Sequence, residues 1–577
     1  MGDCRCVQFS FGLAAERRRP RRAALLTCLP KSPILRALPS FLLVLLAFVL
    51  VLPVLAVGAS WLQWNAASAQ ILREMAATVL PEYLWVTVQL ALMVGVGVVA
   101  LGVPAALLVT VFDFPGRRTF EWLLLLPLAM PAYVTAYAYT DFLQFSGPLQ
   151  VGLRATFGLE GRLLPEVRSV WGAAWVFAFS MYPYVYLLSR TALAERAPQL
   201  MEAARLLGAS LPRRVREIAL PMARPAVAAG TALALMEVLA DYGVSAYFGI
   251  QTFTAGIYKA WLSMDDRVAA AQLATLLLAL VVVLLWLEQR AQRRLRFVGN
   301  ATARANSSDA RPIVLQGGRR VLAWVLCLLP VLMGFVLPVL FMLRPLAADW
   351  SVLPWDKFLV WAWNSVRLGA ITAVLAVGAA WFIAYSVRRS PNALRRGAAQ
   401  LVSLGYAVPG AVIVVGMLLP VGWVQARWPQ SGVGGWITVT ITGLVWAYLV
   451  RFVAVALQSM QSGYARVPRS LDESARMLGA GGLALAGRVH WPLLRRASMA
   501  AALLVFVDVM KELPATIVLR PFNTDTLAVV ANQLARDERL GEAALPSLAL
   551  VLVGLVPVIL LSRTLRSDTR PSDAARV

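Results

Sequence analysis

Long runs of apolar residues, separated by short polar stretches rich in arginine, recur along the whole chain. A hydrocarbon core needs about 20 apolar residues per helix, and on that measure twelve segments qualify. Six lie in the first half: Leu38 to Leu55, Leu84 to Phe112, Phe120 to Leu143, Val170 to Leu188, Ala226 to Phe248 and Val268 to Leu287. Six lie in the second: Val321 to Leu343, Trp361 to Val387, Ala398 to Val421, Trp436 to Leu457, Met499 to Leu519 and Leu545 to Leu561. The pattern predicts an all-α polytopic membrane protein of about 12 transmembrane helices. It divides the chain into a basic tail (1–37), a first membrane domain (38–290), a linker (291–320), a second membrane domain (321–563) and a tail (564–577). The polar stretch Asn300 to Gly318 reads as a flexible linker.

Composition agrees with the pattern, since 59% of the 577 residues are hydrophobic and 15% are charged. The net charge of +24 does not point to nucleic acid, because the arginines sit in short clusters between apolar runs. Arg17 to Arg22, Arg117 and Arg118, Arg290 to Arg296, Arg388 to Arg396 and Arg563 to Arg570 fall in alternate loops, which places those loops and both termini in the cytoplasm. Ala56-Val57-Gly58-Ala59 resembles a leader cleavage site, but an equivalent span opens the second half at Val321, so the first span is expected to be retained. Cys4, Cys6, Cys28 and Cys327 are too few and too scattered for a disulfide framework, and one histidine, His490, excludes a zinc cage of paired ligands.

The two halves repeat. Glu202-Ala203-Ala204-Arg205-Leu206-Leu207-Gly208-Ala209, continuing to Pro221, matches Glu473-Ser474-Ala475-Arg476-Met477-Leu478-Gly479-Ala480, continuing to Pro492, at a shift of 271 residues. Upstream, Thr87-Val88-Gln89-Leu90 matches Ser365-Val366-Arg367-Leu368, and Met130-Pro131 matches Val408-Pro409, at a shift of 278. Each loop (191–223 and 458–495) reads as a short helix with an apolar edge, ended by a glycine that takes the left-handed conformation and followed by a proline where the chain re-enters the membrane. A helix that short needs a docking surface to be stable.

This pair of loops resembles the signature of bacterial ABC importer permeases, departing from it in the second copy at Ser474, Val489 and Trp491. The resemblance implies two six-helix halves of the type I importer fold. It implies that Glu202, Ala203, Ala204, Gly208, Pro221, Glu473, Ser474, Ala475, Gly479 and Pro492 couple to two copies of an ATP-binding subunit, with a periplasmic binding protein delivering the solute to the inner membrane. Met236 to Thr254 and Met510 to Ala528 resemble fused permeases of the ferric iron importer family; thiamine permeases share the fused architecture. No ATPase is expected in the chain itself. A phosphate-binding loop needs lysine after glycine, and none of Lys31, Lys259, Lys357 and Lys511 follows one. The chain is thus expected to bind no cofactor of its own, with ATP and Mg on the partner subunit. An ion-coupled secondary transporter also shows repeated halves, but has no reason to carry the paired loops.

Charges at membrane depth are costly and face a cavity or a partner. Glu237, Asp241 and Tyr242 in the first half, and Asp508, Lys511 and Glu512 in the second, are therefore candidates for the translocation path. Carboxylates and Tyr242 suit transient contact with a hard cation. His490, opposite Ala219 of the first loop, is expected to be a surface contact.

Overall fold

The computed structural model describes residues 33–63, 66–264, 266–297, 313–351 and 353–567. The amino-terminal tail with Cys4, Cys6 and Cys28, most of the linker, and the last ten residues lie outside the described residues. Among those described, nine helices are long and apolar enough to cross a membrane, ten if the bent pair Arg117–Ala129 and Ala132–Phe157 counts as one span. The two remaining expected spans are also helices, Val170–Leu206 and Trp491–Lys511, but they are less apolar. The first carries Tyr182, Tyr184 and Tyr186, and the second carries Arg495, Arg496, Asp508 and Lys511.

The third and ninth spans are not the continuous helices that hydropathy predicts. The third bends by 88° between Ala129 and Ala132. Pro131 starts its second arm at φ −60°, ψ 140°, and Pro409 starts the helix Gly410–Arg427 at φ −59°, ψ 141°. Proline cannot continue the preceding helical hydrogen bonds, and it holds the residue before it extended. Further details recur at equivalent places. Ser169 and Thr440, 271 residues apart, cap the fourth and tenth spans through their side-chain oxygens. Thr87 and Ser365, 278 apart, accept from the first backbone N–H of the helices Phe253–Tyr258 and Leu527–Arg536.

The halves of the sequence interleave in space. The first span leaves its own half and lies against the eighth to tenth: Arg395 donates to Ser40 Oγ (2.8 Å) and Trp446 Nε1 to the Val49 carbonyl (3.0 Å). Reciprocally, the seventh span lies against the first half. Trp324 donates to the Pro115 carbonyl (2.9 Å), Tyr139 to the Met333 carbonyl (2.6 Å), and Phe341 stacks on Phe142 with ring centroids 3.8 Å apart. Two hydrophobic cores result, each containing residues of both halves: Val94, Phe177, Cys327 and Leu550 in one, and Leu43, Leu277, Met417 and Tyr448 in the other.

The described end of the linker is not free. Ile313–Val314 pairs in parallel with Phe112–Asp113 at the end of the second span, and Leu315 donates to the Asp113 carbonyl (2.9 Å). Two β-branched residues and a buried leucine suit such a ladder better than the polar residues before them.

Candidate functional site

Two features connect the repeats to a function: the matched loops at one end of the bundle and a cavity between the halves. In the first loop the motif forms the last turns of the helix Val170–Leu206, continuous with the fourth span, rather than the separate short helix expected. In the second it is a separate helix, Arg469–Met477, set off by Pro468. Both end alike. Gly208 has φ +80° and Gly479 φ +82°. Gly208 and Ala209 donate to the carbonyls of Arg205 and Ala204 (both 2.9 Å), and Gly479 and Ala480 to those of Arg476 and Ala475 (3.0 and 2.9 Å). This double closure satisfies the last helical carbonyls and requires a left-handed residue, which glycine adopts without strain.

Each chain then runs through a wide helical turn, Val215–Ala219 or Leu485–His490, into the fifth or eleventh span, with Pro221 or Pro492 in the first turn. Glu202 is half-exposed and lies 3.5 Å from Arg205, whereas Glu473, Ala203 and Ser474 are exposed and Ala204 and Ala475 half-buried. Leu206 and Leu207, and Met477 and Leu478, are all more than 80% exposed. Large apolar side chains are thus left bare at equivalent places on two polar loops.

The loops differ in how they are held. His490 is not at the surface, as expected from its place in a loop, but 1% exposed. Its Nε2 lies 3.0 Å from Asp472 and its Nδ1 3.2 Å from the Tyr464 hydroxyl. Arg388, at the end of the eighth span, donates through Nε and a second nitrogen to the same carboxylate (2.8 and 3.1 Å) and to the carbonyls of Tyr464, Val467 and Pro468. Burial is tolerated because every charge has a partner. The positions equivalent to Tyr464, Asp472 and His490 in the first half are Leu193, Met201 and Ala219, all apolar and buried, and Thr110 stands in place of Arg388. The second loop is thus fastened by an ion-pair network, whereas the first is held by apolar packing and by buried Arg214, which donates to the Met201 carbonyl (3.3 Å).

Burial pushes the Asp472 carboxyl up, but its hydrogen bonds from Arg388 and His490 outweigh this and hold it below the usual carboxylate range. A depressed carboxylate adds stability that is present above the unfolded pKa and lost as pH falls through the folded one. Protease resistance of the second loop is therefore expected to be flat from neutral pH down to about pH 4 and to fall at lower pH, with the acid-sensitive part absent in Asp472→Asn. Acid sensitivity of equal size in that variant would assign it to other groups.

The second feature is a cavity of about 180 Å³ between the halves. Four of its lining residues form two equivalent pairs at the 271-residue shift, Glu237 with Asp508 and Asp241 with Glu512. Glu237 and Asp508 stand 17 residues beyond Leu220 and Trp491, or about 25 Å along the helix axis from the matched loops. Asp241 and Glu512 sit where the fifth and eleventh helices break. Asp241 Oδ2 accepts from the N–H groups of Val244 (2.9 Å) and Ser245 (3.4 Å), and Glu512 from those of Ala515 (2.9 Å) and Thr516 (3.0 Å). Both therefore serve the short helices Gly243–Phe248 and Pro514–Leu519 as well as lining the cavity. Lys511 donates to the carbonyl of Leu128 in the other half (2.9 Å). Tyr242 is not brought to the cavity; it is buried against Tyr258, with ring centroids 4.2 Å apart.

Sequence reasoning overlooked Arg451. It lines the cavity and donates to Glu237 of the first half (3.2 Å), with 10% and 21% of the two side chains exposed. Its signal was present, because a lone arginine inside Leu449-Val450-Arg451-Phe452-Val453 stands at membrane depth. Among the described residues no group of three or more His, Cys, Asp or Glu is placed to hold a metal ion.

The chain matches the family described as the binding-protein-dependent transport system inner membrane component twice, at residues 98–297 and 376–570. It is 23% identical over 489 residues to the Fe(3+)-transport system permease protein FbpB 2 of Haemophilus influenzae, covering 84% of this chain and 90% of that one. A probable ABC transporter permease of Sinorhizobium fredii, y4fN, is 25% identical over 523 residues, covering 85% and 89%. The sulfate transport system permease CysW of Escherichia coli is 27% identical over 259 residues, 43% of this chain and 84% of its own. With the matched segments covering more than half of its length and one in each repeat, the chain belongs to the family of binding-protein-dependent transport inner membrane components.

Proposed function

We propose that this chain is the translocating subunit of an importer for iron(III), receiving its cargo from a binding protein and driven by ATP that a separate subunit hydrolyses. The observation that carries the cargo is the full-length match to a permease named for Fe(3+) transport, which spans both repeats, whereas the sulfate permease aligns with less than half of the chain. The cavity supports the choice of a cation, since four carboxylates face two bases there, a poor environment for an oxyanion. Iron(III) is a hard cation that prefers oxygen ligands. The lack of a ready ligand set among the described residues suits a passage, which must release what it admits.

Uptake of labelled iron(III), thiamine and sulfate is to be compared in cells with and without this chain. Loss of iron(III) uptake alone is expected. Intact iron(III) uptake with loss of thiamine or sulfate uptake would reassign the cargo.

Two copies of an ATP-binding subunit, carrying the ATP and Mg, would sit one beneath each coupling loop, against Leu206 and Leu207 and against Met477 and Leu478. That end of the bundle, with both termini, would then face the cytoplasm, in keeping with the arginine-rich loops. Glu202 and Glu473 would each supply a charge contact. The double variant Glu202→Ala, Glu473→Ala is expected to reach the membrane in normal amount while recovering the ATP-binding subunit several-fold less well on co-purification. Unchanged recovery and unchanged transport would exclude that role.

A further inference from the structure

The cavity is symmetric in its acids and asymmetric in its bases. Glu237 and Asp508 are equivalent across the repeat, as are Asp241 and Glu512. Arg451 stands where the first half has Ser180, and Lys511 where it has Ala240. Both bases come from the second half and both reach across, Arg451 to Glu237 and Lys511 to the Leu128 carbonyl.

The polar groups around Arg451 are only partly engaged. Its Nε has no hydrogen-bond partner, although the residue is 9% exposed. Ser180, 2% exposed and also lining the cavity, has an unpartnered Oγ. Asp508 accepts no hydrogen bond from another side chain among the described residues, and its partial exposure is to this cavity. A buried arginine held by one hydrogen bond and by the Tyr406 and Phe452 rings, in a cavity that also holds an unpartnered hydroxyl and a second carboxylate whose neighbouring base is Lys511, has a second place to go. A buried polar group without a partner is costly, which favours a state in which the guanidinium exchanges partners.

Resting on the reading of this cavity as a cation passage, we propose that Arg451 is a tethered counter-ion standing where the cargo stands, and that Glu237 and Asp508 are the carboxylates between which the two exchange. In the empty cavity the guanidinium neutralises Glu237. A cation entering between Glu237 and Asp508 displaces it toward Ser180. When the cation leaves, the guanidinium returns and stops the carboxylates from holding the next ion too long. Arg451 is then a specificity-determining residue: it makes the site accept only cargo positive enough to compete with a guanidinium, and it sets how long that cargo stays.

The test uses the full chain purified with its ATP-binding subunit, radiolabelled iron(III) delivered to it from a citrate complex as the probe, and retention of label after gel filtration as the readout beside cell uptake. Arg451→Ser installs the residue of the first half, and Arg451→Gln removes the charge while keeping most of the volume. Both are expected to retain about tenfold more label than the unsubstituted complex and to import about tenfold more slowly, because tight holding opposes conduction. Adding Asp508→Asn to either is expected to return retention to background. Arg451→Lys keeps a tethered charge but loses the planar contact with Tyr406 and Phe452, and is expected to fall nearer the unsubstituted chain than Arg451→Gln in both assays. Co-purification of the ATP-binding subunit shows which variants assemble, and Arg451→Gln carries the same expectation if Arg451→Ser does not. Absence of iron(III) uptake by the unsubstituted chain overturns the assigned cargo. Its presence, with Arg451→Gln unchanged in retention and uptake, overturns the role of Arg451 alone.

Discussion

Asp472→Ala is expected to abolish transport while leaving the chain in the membrane. The carboxylate is 6% exposed and receives both Arg388 and His490, so its loss leaves a buried guanidinium and a buried imidazole facing an empty space. Removing one partner of a buried ion pair costs about 3–5 kcal/mol. That cost falls on the second matched loop, because Asp472 lies on its helix while Arg388 belongs to the eighth span. Uptake, together with the rate of protease cleavage between residues 466 and 482, measures the effect. The control is the triple variant Arg388→Thr, Asp472→Met, His490→Ala, which installs the first half's Thr110, Met201 and Ala219. Removing a whole buried charge network is often far less costly than removing one partner of it, so the triple variant is expected to be less damaged than Asp472→Ala. Normal uptake in Asp472→Ala would show that the loop does not depend on this clamp.

Gly416→Ala is expected to cost stability out of proportion to the one methyl group it adds. Gly416 lies on the ninth span where the first span crosses it, and a Cβ there would run into the backbone carbonyl of Pro53. Backbone cannot rotate away as a side chain can, so one helix must shift, at about 1–3 kcal/mol. Gly378→Ala is the comparison, since nothing lies within 4 Å of a Cβ there. It is expected to be neutral or slightly stabilising through its better helix propensity. Thermal unfolding in detergent would separate the two. Equal melting temperatures would mean that the first span does not sit on the ninth as tightly as described.

The parts of this fold that were legible in the sequence are those that need a particular residue type at one place. Gly208 and Gly479 were readable because a left-handed helix end excludes most side chains, and Pro221 and Pro492 because a helix start tolerates proline. The breaks at Pro131 and Pro409 were hidden by unbroken hydropathy, which counts how apolar a residue is and not whether it can donate a hydrogen bond. The exchange of the first and seventh spans was hidden for a related reason. An apolar helix face does not say which neighbour covers it, and the small surfaces that choose, such as Gly416 against Pro53, look like any glycine in a membrane helix.

At the site, Glu237, Asp241, Asp508, Lys511 and Glu512 were readable as charges too deep for water, and the structure gathers all five around one cavity. Tyr242 was not separable from them, because a tyrosine at a helix break suits a passage and an aromatic pair equally well. His490 was misplaced by its loop position. Its burial depends on Asp472 and Tyr464, 18 and 26 residues away in sequence, and a loop pattern carries no sign of such partners.

The interleaving of the spans has a consequence for heredity as well as for packing. A gene split within codons 298–312 would yield two polypeptides, each with an opening helix that packs in part against the other. Neither product would be complete alone, and two copies of the same one would not substitute, since one pairing would hold Ser180 twice and the other Arg451 twice. Joining the halves in a single reading frame fixes their ratio at one to one in every molecule made. Every molecule therefore carries one Ser180 and one Arg451 at equivalent positions, both lining a single cavity.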